Sequence, residues 1–452
     1  MVRTIKQILD QKSLVIVFAY VPAGLGHLRV TDALFHGLPG GIDPLLLGPE
    51  DPLLVFFHRL TSVNPVAKAI LEWQQHGLQE DIYTKFYRWF LKTQTNQIKE
   101  RLSLVLAQRM DLPQTVLVVV THFGLAHQLI AIKHKIEEEK HIKMIIVLQV
   151  TDDSPQHLWY VPGVDVIFVP SEKTKNELLE YGRKENLDKV PIEVLPYPID
   201  PWMSIKLTAK ELEEKSHQLI LENHSAINIA VPISGAAVGM NFITKMVDRL
   251  HEKSDRCTFH IIAKSTPFTQ NFLKEMVNRS FVRFSVSFSS REIVDKYAEL
   301  YRQEIISLEI TKPSEQAFKA LFTPDQKGGS ILLFSEPIGR QEYDNLNFLR
   351  RHHLIPLKAE MENLWQEAEK NLEIDGGGKG LLEGAKHWRG LILPKDPIRA
   401  ADFIFWCFRE KLLLTMVESY VCPKQEGENK ELSSDGVEVF WQRVASLVEE
   451  KS

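Results

Sequence analysis

Residues 14–27, LVIVFAYVPAGLGH, point to the class of fold. They begin with an apolar run, which is typical of a parallel strand covered on both faces. Gly24 and Gly26 then allow a tight turn before the helical pattern LRVTDALFHGL. This order predicts a Rossmann-like unit whose turn approaches a polar or anionic ligand. No nicotinamide or flavin cofactor is expected, because Arg29 and Val30 stand where the dinucleotide fingerprint has its third glycine.

The first half of the chain repeats this alternation, which predicts parallel strands joined by crossover helices. The predicted strands cover residues 14–21, 115–121, 143–151, 164–170 and 192–195. Between the first two, a long helical region spans residues 63–108. Its core-facing apolar stripe comprises Ile82, Phe86, Trp89, Ile98, Leu102 and Val105.

A second series of strands follows a charged segment at residues 200–226, which is predicted to be a linker. These strands cover residues 227–233, 258–263, 282–288, 305–310 and 330–334, and the remaining tail is mostly helical. The sequence therefore predicts an α/β protein of two facing Rossmann-like domains with C-terminal crossing helices. The expected ranges are 1–199 for the first domain, 227–400 for the second, and 401–452 for helices that pack back on the first.

Charge and cysteine content narrow the function classes. With 54 basic and 59 acidic residues, the chain is too evenly charged for nucleic acid to be its main partner. No stretch is long and apolar enough for a membrane span, and no signal peptide is evident, so a cytoplasmic location is expected. Cys257, Cys407 and Cys422 are far apart and are predicted to be buried thiols in a reducing compartment.

Polar residues that follow the first-half strands predict a ligand-binding rim, because the carboxyl ends of parallel strands meet at one sheet edge. His27 is a candidate general base there, since imidazole titrates near neutral pH; the alternative is a helix-start His that bonds only to backbone or water. No ligand pair at metal-binding spacing supports a metal site. An aspartate in this position can equally be a helix cap. The other rim residues are His122, Asp152, Asp153, His157 and Trp159.

The second half contributes two motifs. VPISGAAVGM, residues 231–240, ends a strand in another glycine turn, whose backbone N–H groups can hold a phosphate; the alternative is a turn without a ligand. SEPIGRQEYDN, residues 335–345, places carboxylates, an amide and an arginine at a helix start. Clustered acceptors and amides suit a polyhydroxylated ligand, because each desolvated hydroxyl needs a partner.

The order of these motifs, together with VPSE at residues 169–172 and P-x-G-x-Q-E-x-x-N at residues 337–345, resembles that of GT-B glycosyltransferases. The likeness covers roughly residues 14–350 and is strongest to the monogalactosyldiacylglycerol synthases and the peptidoglycan lipid II N-acetylglucosaminyltransferase. It implies an acceptor bound mainly by the first domain and a nucleotide sugar bound by the second, with no metal or cofactor. His27 would be the catalytic base. The acceptor side would comprise His122, Asp152, His157 and Trp159, and the donor side Gly24, Gly26, Ser234, Gly235, Gly239, Glu315, Gln341, Glu342 and Asn345.

The chain departs from this family at residues 311–321. The family's loop is glycine-rich and carries a Glu that holds the nucleotide ribose, whereas this loop has no glycine and has Lys319 near that position. Glu315 is the candidate substitute. Arg340 also replaces a usual glycine.

The resemblance implies transfer of a hexosyl or N-acetylhexosaminyl group from a nucleotide-diphosphate sugar, with a UDP-sugar favoured, to a hydroxyl acceptor such as a lipid. The alternatives are a nucleotide-sugar epimerase of the same fold and a non-catalytic binding or scaffold protein with a degenerate donor site. Residues 82–109, with six basic residues and one acidic residue beside aromatic ones, could contact a membrane peripherally. A core helix with a solvated basic face is the favoured alternative.

Overall fold

The computed structural model describes residues 4–21, 25–48, 80, 84–85, 87–89, 91, 95–109, 113–233, 237–375, 380–422 and 430–451. The chain forms two compact units, which are described separately. The first comprises Met1–Pro201 and Lys430–Ser452, and the second comprises Trp202–Asn429.

The first unit is built on a parallel sheet of six strands in the order β2-β1-β3-β4-β5-β6. Its central strands are continuous apolar runs buried on both faces, as expected for a parallel sheet covered by helices. The strands are β1 (Leu14–Ala19), β2 (Leu45–Leu47), β3 (Thr115–Val120), β4 (Lys143–Gln149), β5 (Val166–Val169) and β6 (Ile192–Val194). The helices are Ile5–Leu9, Leu25–His36, Asn96–Leu106, Phe123–Lys140, Glu172–Lys184 and Gly436–Lys451, with a short 3-10 helix at His157–Trp159.

The helix Gly436–Lys451 belongs to this first unit although it is last in the chain. The buried Trp441 indole donates a hydrogen bond from Nε1 to the Leu34 carbonyl at 2.8 Å. Trp441 also packs edge-on against Phe18 of β1, and Phe440 packs against Phe168 of β5. The end of the chain therefore completes the core around the first strand.

The second unit repeats this architecture with a parallel sheet in the order β12-β11-β10-β7-β8-β9. Its strands are β7 (Ile227–Pro232), β8 (Cys257–Lys264), β9 (Val282–Ser287), β10 (Leu308–Thr311), β11 (Ile331–Phe334) and β12 (Gly390–Ile392). Its α-helices are Ala209–Leu219, Met240–Lys253, Gln270–Met276, Ser290–Gln303, Arg340–Arg351, Lys358–Glu369, Leu381–Ala385, Pro397–Arg409 and Leu412–Glu418. Two 3-10 helices lie at Pro201–Ser204, where this unit begins, and at Glu315–Leu321.

The predicted α/β class with two Rossmann-like domains is confirmed by the two parallel sheets. The strands β2 and β12 are not predicted by the sequence, because each has only three residues and too little pattern to recognise. Within residues 200–226, predicted as a linker, the helix Ala209–Leu219 starts with a capping box between Thr208 and Glu211 and belongs to the second unit. Among the described helices within 401–452, Gly436–Lys451 belongs to the first unit and Leu412–Glu418 to the second.

Three smaller expectations have different outcomes. In the predicted apolar stripe, Ile98 and Leu102 are buried, but Trp89 is 62% exposed and its assignment to the core is wrong. The neighbouring Arg88 faces inward, and adjacent helical residues do not share a face. Cys422 is exposed, so it is not the buried thiol that the sequence predicts. Across the described ranges, none of the helices combines the length and apolarity that crossing a membrane requires.

Some residues of the sequence predictions lie outside the described residues. They are Gly24, Ile82, Phe86, Ser234 and Gly235, together with most of residues 63–94 of the predicted helical region.

Candidate functional site

Each sheet has a point where the strand order reverses, and the candidate residues cluster there. In the first unit the chain passes from β1 to β2 on one side and then to β3 on the other. In the second unit it passes from β7 through β8 to β9 and then to β10 on the opposite side of β7. Ligands of open parallel sheets bind beyond the carboxyl ends of the two strands at such a point. His27 and His122 follow β1 and β3, so they flank the switch point of the first unit.

His27 lies in the first turn of the helix Leu25–His36 and is held by the ends of two strands. Its Nδ1 atom is 2.8 Å from the Thr121 carbonyl oxygen and 3.1 Å from the Thr151 hydroxyl. A carbonyl oxygen can only accept a hydrogen bond, so Nδ1 carries the proton of the neutral ring. Nε2 is therefore the basic nitrogen of His27, as a general base requires.

A chain of hydroxyl groups fixes the backbone around His27. Thr31 donates to the His27 carbonyl at 2.8 Å, and the Thr121 hydroxyl donates to Thr31 at 2.8 Å. Tyr197 donates to the Thr151 carbonyl, also at 2.8 Å. These threonines and this tyrosine are not among the residues that the sequence predicts for the site. The available signal is that Thr121 and Thr151 directly follow apolar strands, where a hydroxyl is placed at the sheet edge.

His122 and Trp159 join His27 in one aromatic cluster. The His122 ring centroid lies 5.0 Å from that of His27, and the Trp159 ring lies 6.3 Å from it. Phe123 stacks on His122 and packs edge-on against Trp159. His122 is the N-cap of the helix Phe123–Lys140, and its Nδ1 accepts a hydrogen bond from the Gly124 backbone N–H at 3.1 Å. The structure thus brings together three residues that the sequence predicts for this rim.

The remaining predicted residues of this rim form local structural contacts. Asp152 accepts a hydrogen bond from the Ser154 backbone N–H at 3.0 Å, a turn contact within its own loop rather than the helix cap that the sequence offers as the alternative. The buried carboxylate of Asp153 accepts hydrogen bonds from Ser171 and Thr174 at the start of the helix Glu172–Lys184.

His157, in the short 3-10 helix, contacts Tyr181, Glu80 and Arg88. Its ring stacks on Tyr181 with centroids 3.9 Å apart, and its backbone N–H donates to Glu80 at 2.9 Å. Arg88 donates to the His157 carbonyl at 2.8 Å. Burial lowers the pKa of Arg88, and the neighbouring Tyr181 partly offsets this change.

At the switch point of the second unit, the described part of the glycine turn ends at Gly239. Gly239 has φ +80° and precedes the helix Met240–Lys253 without a side-chain cap. Only glycine adopts this conformation at no steric cost. Gly26, by contrast, lies inside the helix Leu25–His36. Of the two described glycines that the sequence predicts for the donor side, Gly239 therefore has a turn conformation and Gly26 a helical one.

Lys319 is a core residue of the second unit. Its Nζ atom is 2.6 Å from the carboxylate of Glu309 on β10 and 2.8 Å from the Tyr297 hydroxyl. Tyr297 and Tyr301 donate to the same carboxylate oxygen. Burial and this carboxylate raise the pKa of Tyr301 well above its usual value. The lysine therefore completes a buried ion pair in the segment 311–321.

The predicted donor-side residues near β11 tie two loops together. Asn345 is buried, and its Nδ2 donates to the carbonyls of Pro313 and Ser314 at 3.2 and 3.1 Å. The Glu342 carboxylate accepts a hydrogen bond from the Ile338 backbone N–H at 2.5 Å. Gln341 is exposed at the start of the same helix. Asn345 and Glu342 thus shape the loops after β10 and β11, while Gln341 extends from them.

Arg340 and Lys312, at the same edge, are partly buried. The Arg340 Nε atom lies 3.5 Å from the Asp344 carboxylate on the same helix, and the Lys312 Nζ donates to the Glu336 carbonyl at 2.7 Å. Glu315, the candidate for the ribose contact, begins the 3-10 helix Glu315–Leu321.

Comparison with known proteins gives structural matches alone. No protein-family model matches the chain, and no curated protein sequence matches it. The structure of S. aureus MnaA with UDP matches with a TM-score of 0.48 at 10% identity, over 98% of this chain and 97% of the other. UDP-GlcNAc 2-epimerase from Neisseria meningitidis bound to UDP-GlcNAc has a TM-score of 0.46 at 10% identity, over 96% and 99%. Anabaena HepE in complex with UDP and glucose has a TM-score of 0.44 at 11% identity, over 97% and 100%.

Proposed function

We propose that this protein transfers a sugar from a nucleotide-diphosphate donor, a UDP-sugar being favoured, to a hydroxyl acceptor. The observation that carries the proposal is the anchoring of His27 at the switch point of the first sheet. Its Nδ1 is bound to the Thr121 carbonyl, so its Nε2 is the basic atom at the edge where open parallel sheets bind ligands.

In the proposed reaction, His27 Nε2 takes the proton of the acceptor hydroxyl. The freed oxygen attacks the anomeric carbon of the donor sugar, and the bond from that carbon to the diphosphate oxygen breaks with the nucleoside diphosphate as the leaving group. A general base of this kind contributes roughly 10²- to 10⁴-fold to the rate. No group outside the two substrates and His27 is needed to balance the step.

The donor side is assigned to the second unit. The turn that Gly239 ends would bring backbone N–H groups and a helix N-terminus to the diphosphate, where the helix dipole favours negative charge. Gln341 would bind donor-sugar hydroxyls, and Glu342 and Asn345 would hold the loops in position for it. Glu315 would contact the nucleotide ribose. The burial of Lys319 leaves that contact to another residue of the loop.

A lipid is the finer proposal for the acceptor. Trp89 and Leu104, in the basic segment 82–109, are 62% and 70% exposed, as expected for residues that insert into the surface of an anionic membrane. Sedimentation of the full-length chain with anionic vesicles tests this part by itself. Binding that is lost in Trp89→Ser, with zwitterionic vesicles as the control, would support a lipid acceptor.

Calorimetric titration with UDP, GDP, ADP and dTDP tests donor binding first. We expect saturable binding of one diphosphate, with tightening by the sugar that is weakened in Gln341→Ala and retained in the control Gln366→Ala, which replaces another exposed helical glutamine. No binding of any nucleotide would leave only the non-catalytic alternative.

Turnover then separates the two enzymatic alternatives. A transferase consumes donor only when acceptor is present, and His27→Gln should lower this consumption by roughly 10²- to 10⁴-fold. Interconversion of donor sugars without an acceptor would instead identify an epimerase.

A further inference from the structure

The two histidines that flank the switch point of the first sheet are close neighbours with different backbone partners. Their ring centroids are 5.0 Å apart and their planes are inclined by 72°. A hydrogen bond reaches roughly 2.8 Å beyond each nitrogen, so rings at this separation can contact the same ligand atom. The partner of each Nδ1 atom therefore determines what the pair can bind.

His27 has the Nδ1–H form of the neutral imidazole. Its Nδ1 lies 2.8 Å from the Thr121 carbonyl oxygen, which has lone pairs and no proton. An unprotonated Nδ1 at this distance would place two lone pairs against each other. The neutral ring consequently has its lone pair on Nε2.

His122 has the opposite form. Its Nδ1 lies 3.1 Å from the Gly124 backbone nitrogen, which donates its N–H to it. Nδ1 must supply the lone pair for this bond, so the proton of the neutral ring is on Nε2. Gly124 suits this contact, because a Cβ atom there would come within 2.9 Å of His122 Cε1.

We propose that His27 and His122 form a pair of opposite tautomers that binds one alcohol hydroxyl. His27 Nε2 accepts the hydroxyl proton, and His122 Nε2–H donates to the same oxygen. The assignment of this hydroxyl to the acceptor substrate rests on the proposed function. The pairing of the tautomers rests on the two Nδ1 contacts alone.

This arrangement selects the chemical class of the ligand. A carboxylate or phosphate oxygen has no proton for His27 Nε2, and an ammonium group has no lone pair for the N–H of His122. A hydroxyl has both. The acceptor is therefore an alcohol, such as a sugar or glycerol hydroxyl, and its attacking oxygen is the atom that contacts the Nε2 atoms of both rings.

His122 then acts on the same step as His27. As the hydroxyl proton moves to His27, negative charge develops on the oxygen that attacks the sugar carbon. The N–H of His122 stabilises this charge, in the way that a fixed hydrogen-bond donor does in other active sites. His122 is thus a second catalytic residue, and it donates no proton in the balanced reaction.

Nitrogen NMR of the full-length chain tests the tautomers without any substrate. The chain is labelled with ¹⁵N-histidine, and multiple-bond correlation spectra are recorded above neutral pH. The signals that disappear in His27→Gln and in His122→Gln assign the two rings. We expect the Nδ1–H form for His27 and the Nε2–H form for His122. The same tautomer in both rings would overturn the proposal.

Turnover of a UDP-hexose with an alcohol acceptor tests the role of His122. His122→Gln retains an N–H donor and should stay within about tenfold of the original chain, whereas His122→Phe should lose about 10²- to 10³-fold. His134→Phe, in the same helix and with its side chain 93% exposed, is the matched control and should retain full turnover. Equal activity of the Gln and Phe variants would contradict hydrogen bonding by His122. If the original chain consumes no donor, the proposed function fails, and the spectra alone decide on the tautomer pair.

Discussion

The two sheets share one topology but use their strand-end polar residues differently. In the first unit, His27 and His122 fix one ring nitrogen to backbone and gather with Trp159 at the sheet edge. In the second unit, Glu309 on β10 and Lys319 beyond it pair inside the core. Shared topology therefore indicates where a site lies, while the partners of each side chain indicate whether it serves the site or the core.

The largest expected effect is on the stability of the second unit, when one member of the buried Lys319–Glu309 ion pair is removed. Lys319→Met leaves the Glu309 carboxylate buried with two tyrosine hydroxyls as partners, and we expect the second unit to lose about 3–5 kcal/mol of unfolding free energy. Urea unfolding followed by a probe in the second unit measures this loss. Adding Glu309→Met to the variant should recover most of it.

Lys206→Met is the control for this measurement, because Lys206 pairs with Asp325 at the surface of the same unit. It should cost less than about 1 kcal/mol. A similar loss of unfolding free energy in both lysine variants would show that the buried Lys319 pair matters no more for stability than the surface pair.

Acid should weaken the second unit through His260 on β8, which is the next largest effect. Burial lowers the pKa of His260 from 6.5 to about 4, and the nearby Arg283 adds to the shift. Between these two pKa values the unfolded chain binds more protons than the folded chain, so the unfolding free energy falls as the pH falls. The expected loss from pH 6.5 to pH 4 is roughly 3 kcal/mol.

The slope of unfolding free energy against pH checks this prediction. It should be flatter in His260→Gln and unchanged in His224→Gln, which alters an exposed histidine of the same unit. An unaltered slope in His260→Gln would assign the acid sensitivity to other groups.

Asp153→Ala sharpens the comparison inside the first unit, because it separates a structural rim residue from the proposed catalytic pair, His27 and His122. The change leaves the Ser171 and Thr174 hydroxyls without their shared carboxylate, and we expect a loss of about 2 kcal/mol of unfolding free energy. The ¹⁵N spectra should show that the His27 and His122 rings keep their tautomers. Altered tautomers in this variant would place Asp153 in the site.

The smallest effect on stability is expected for Gly124→Ala, which acts on the site more than on the fold. The new Cβ would come within 2.9 Å of the His122 ring and displace it, while alanine gains up to about 1 kcal/mol of helix propensity. We expect the unfolding free energy to stay within about 1 kcal/mol of that of the original chain. Turnover should fall about tenfold, because displacing the ring weakens one hydrogen bond, the one that the His122 Nε2–H donates to the acceptor. Gly40→Ala, which has no atom within 4 Å of the new Cβ, should change neither quantity.

The sequence predicts the elements of this fold well where the pattern is local. The apolar run that begins at Leu14 and the helical pattern that follows it specify a strand and a helix without reference to the rest of the chain. Strand order depends on contacts between distant segments, so the two switch points are visible in the structure alone. The three-residue strands β2 and β12 gain their pairing from neighbours rather than from their own pattern.

The candidate site is predicted in its residue types and only partly in its geometry. His27, His122 and Trp159 meet because they follow strands of one sheet, which the sequence does indicate. His157 and Asp153 follow a strand as well, but Tyr181 and Ser171 on the next helix engage them. Lys319 shows the same limit, because its partner Glu309 is a buried charge on the four-residue strand β10, and the sequence does not indicate that the two residues pair. In each of these cases, a partner on another element determines which contacts the residue makes, and the sequence does not show that partner.

The contact of Trp441 with Leu34 also constrains the order of events during synthesis of the chain on the ribosome. The helix that covers the first strand of the first unit is synthesised after all of the second unit. The second unit is continuous in sequence, so it can fold while the first still exposes the apolar surface around Phe18. The first unit can consequently become complete only after the second unit has been synthesised.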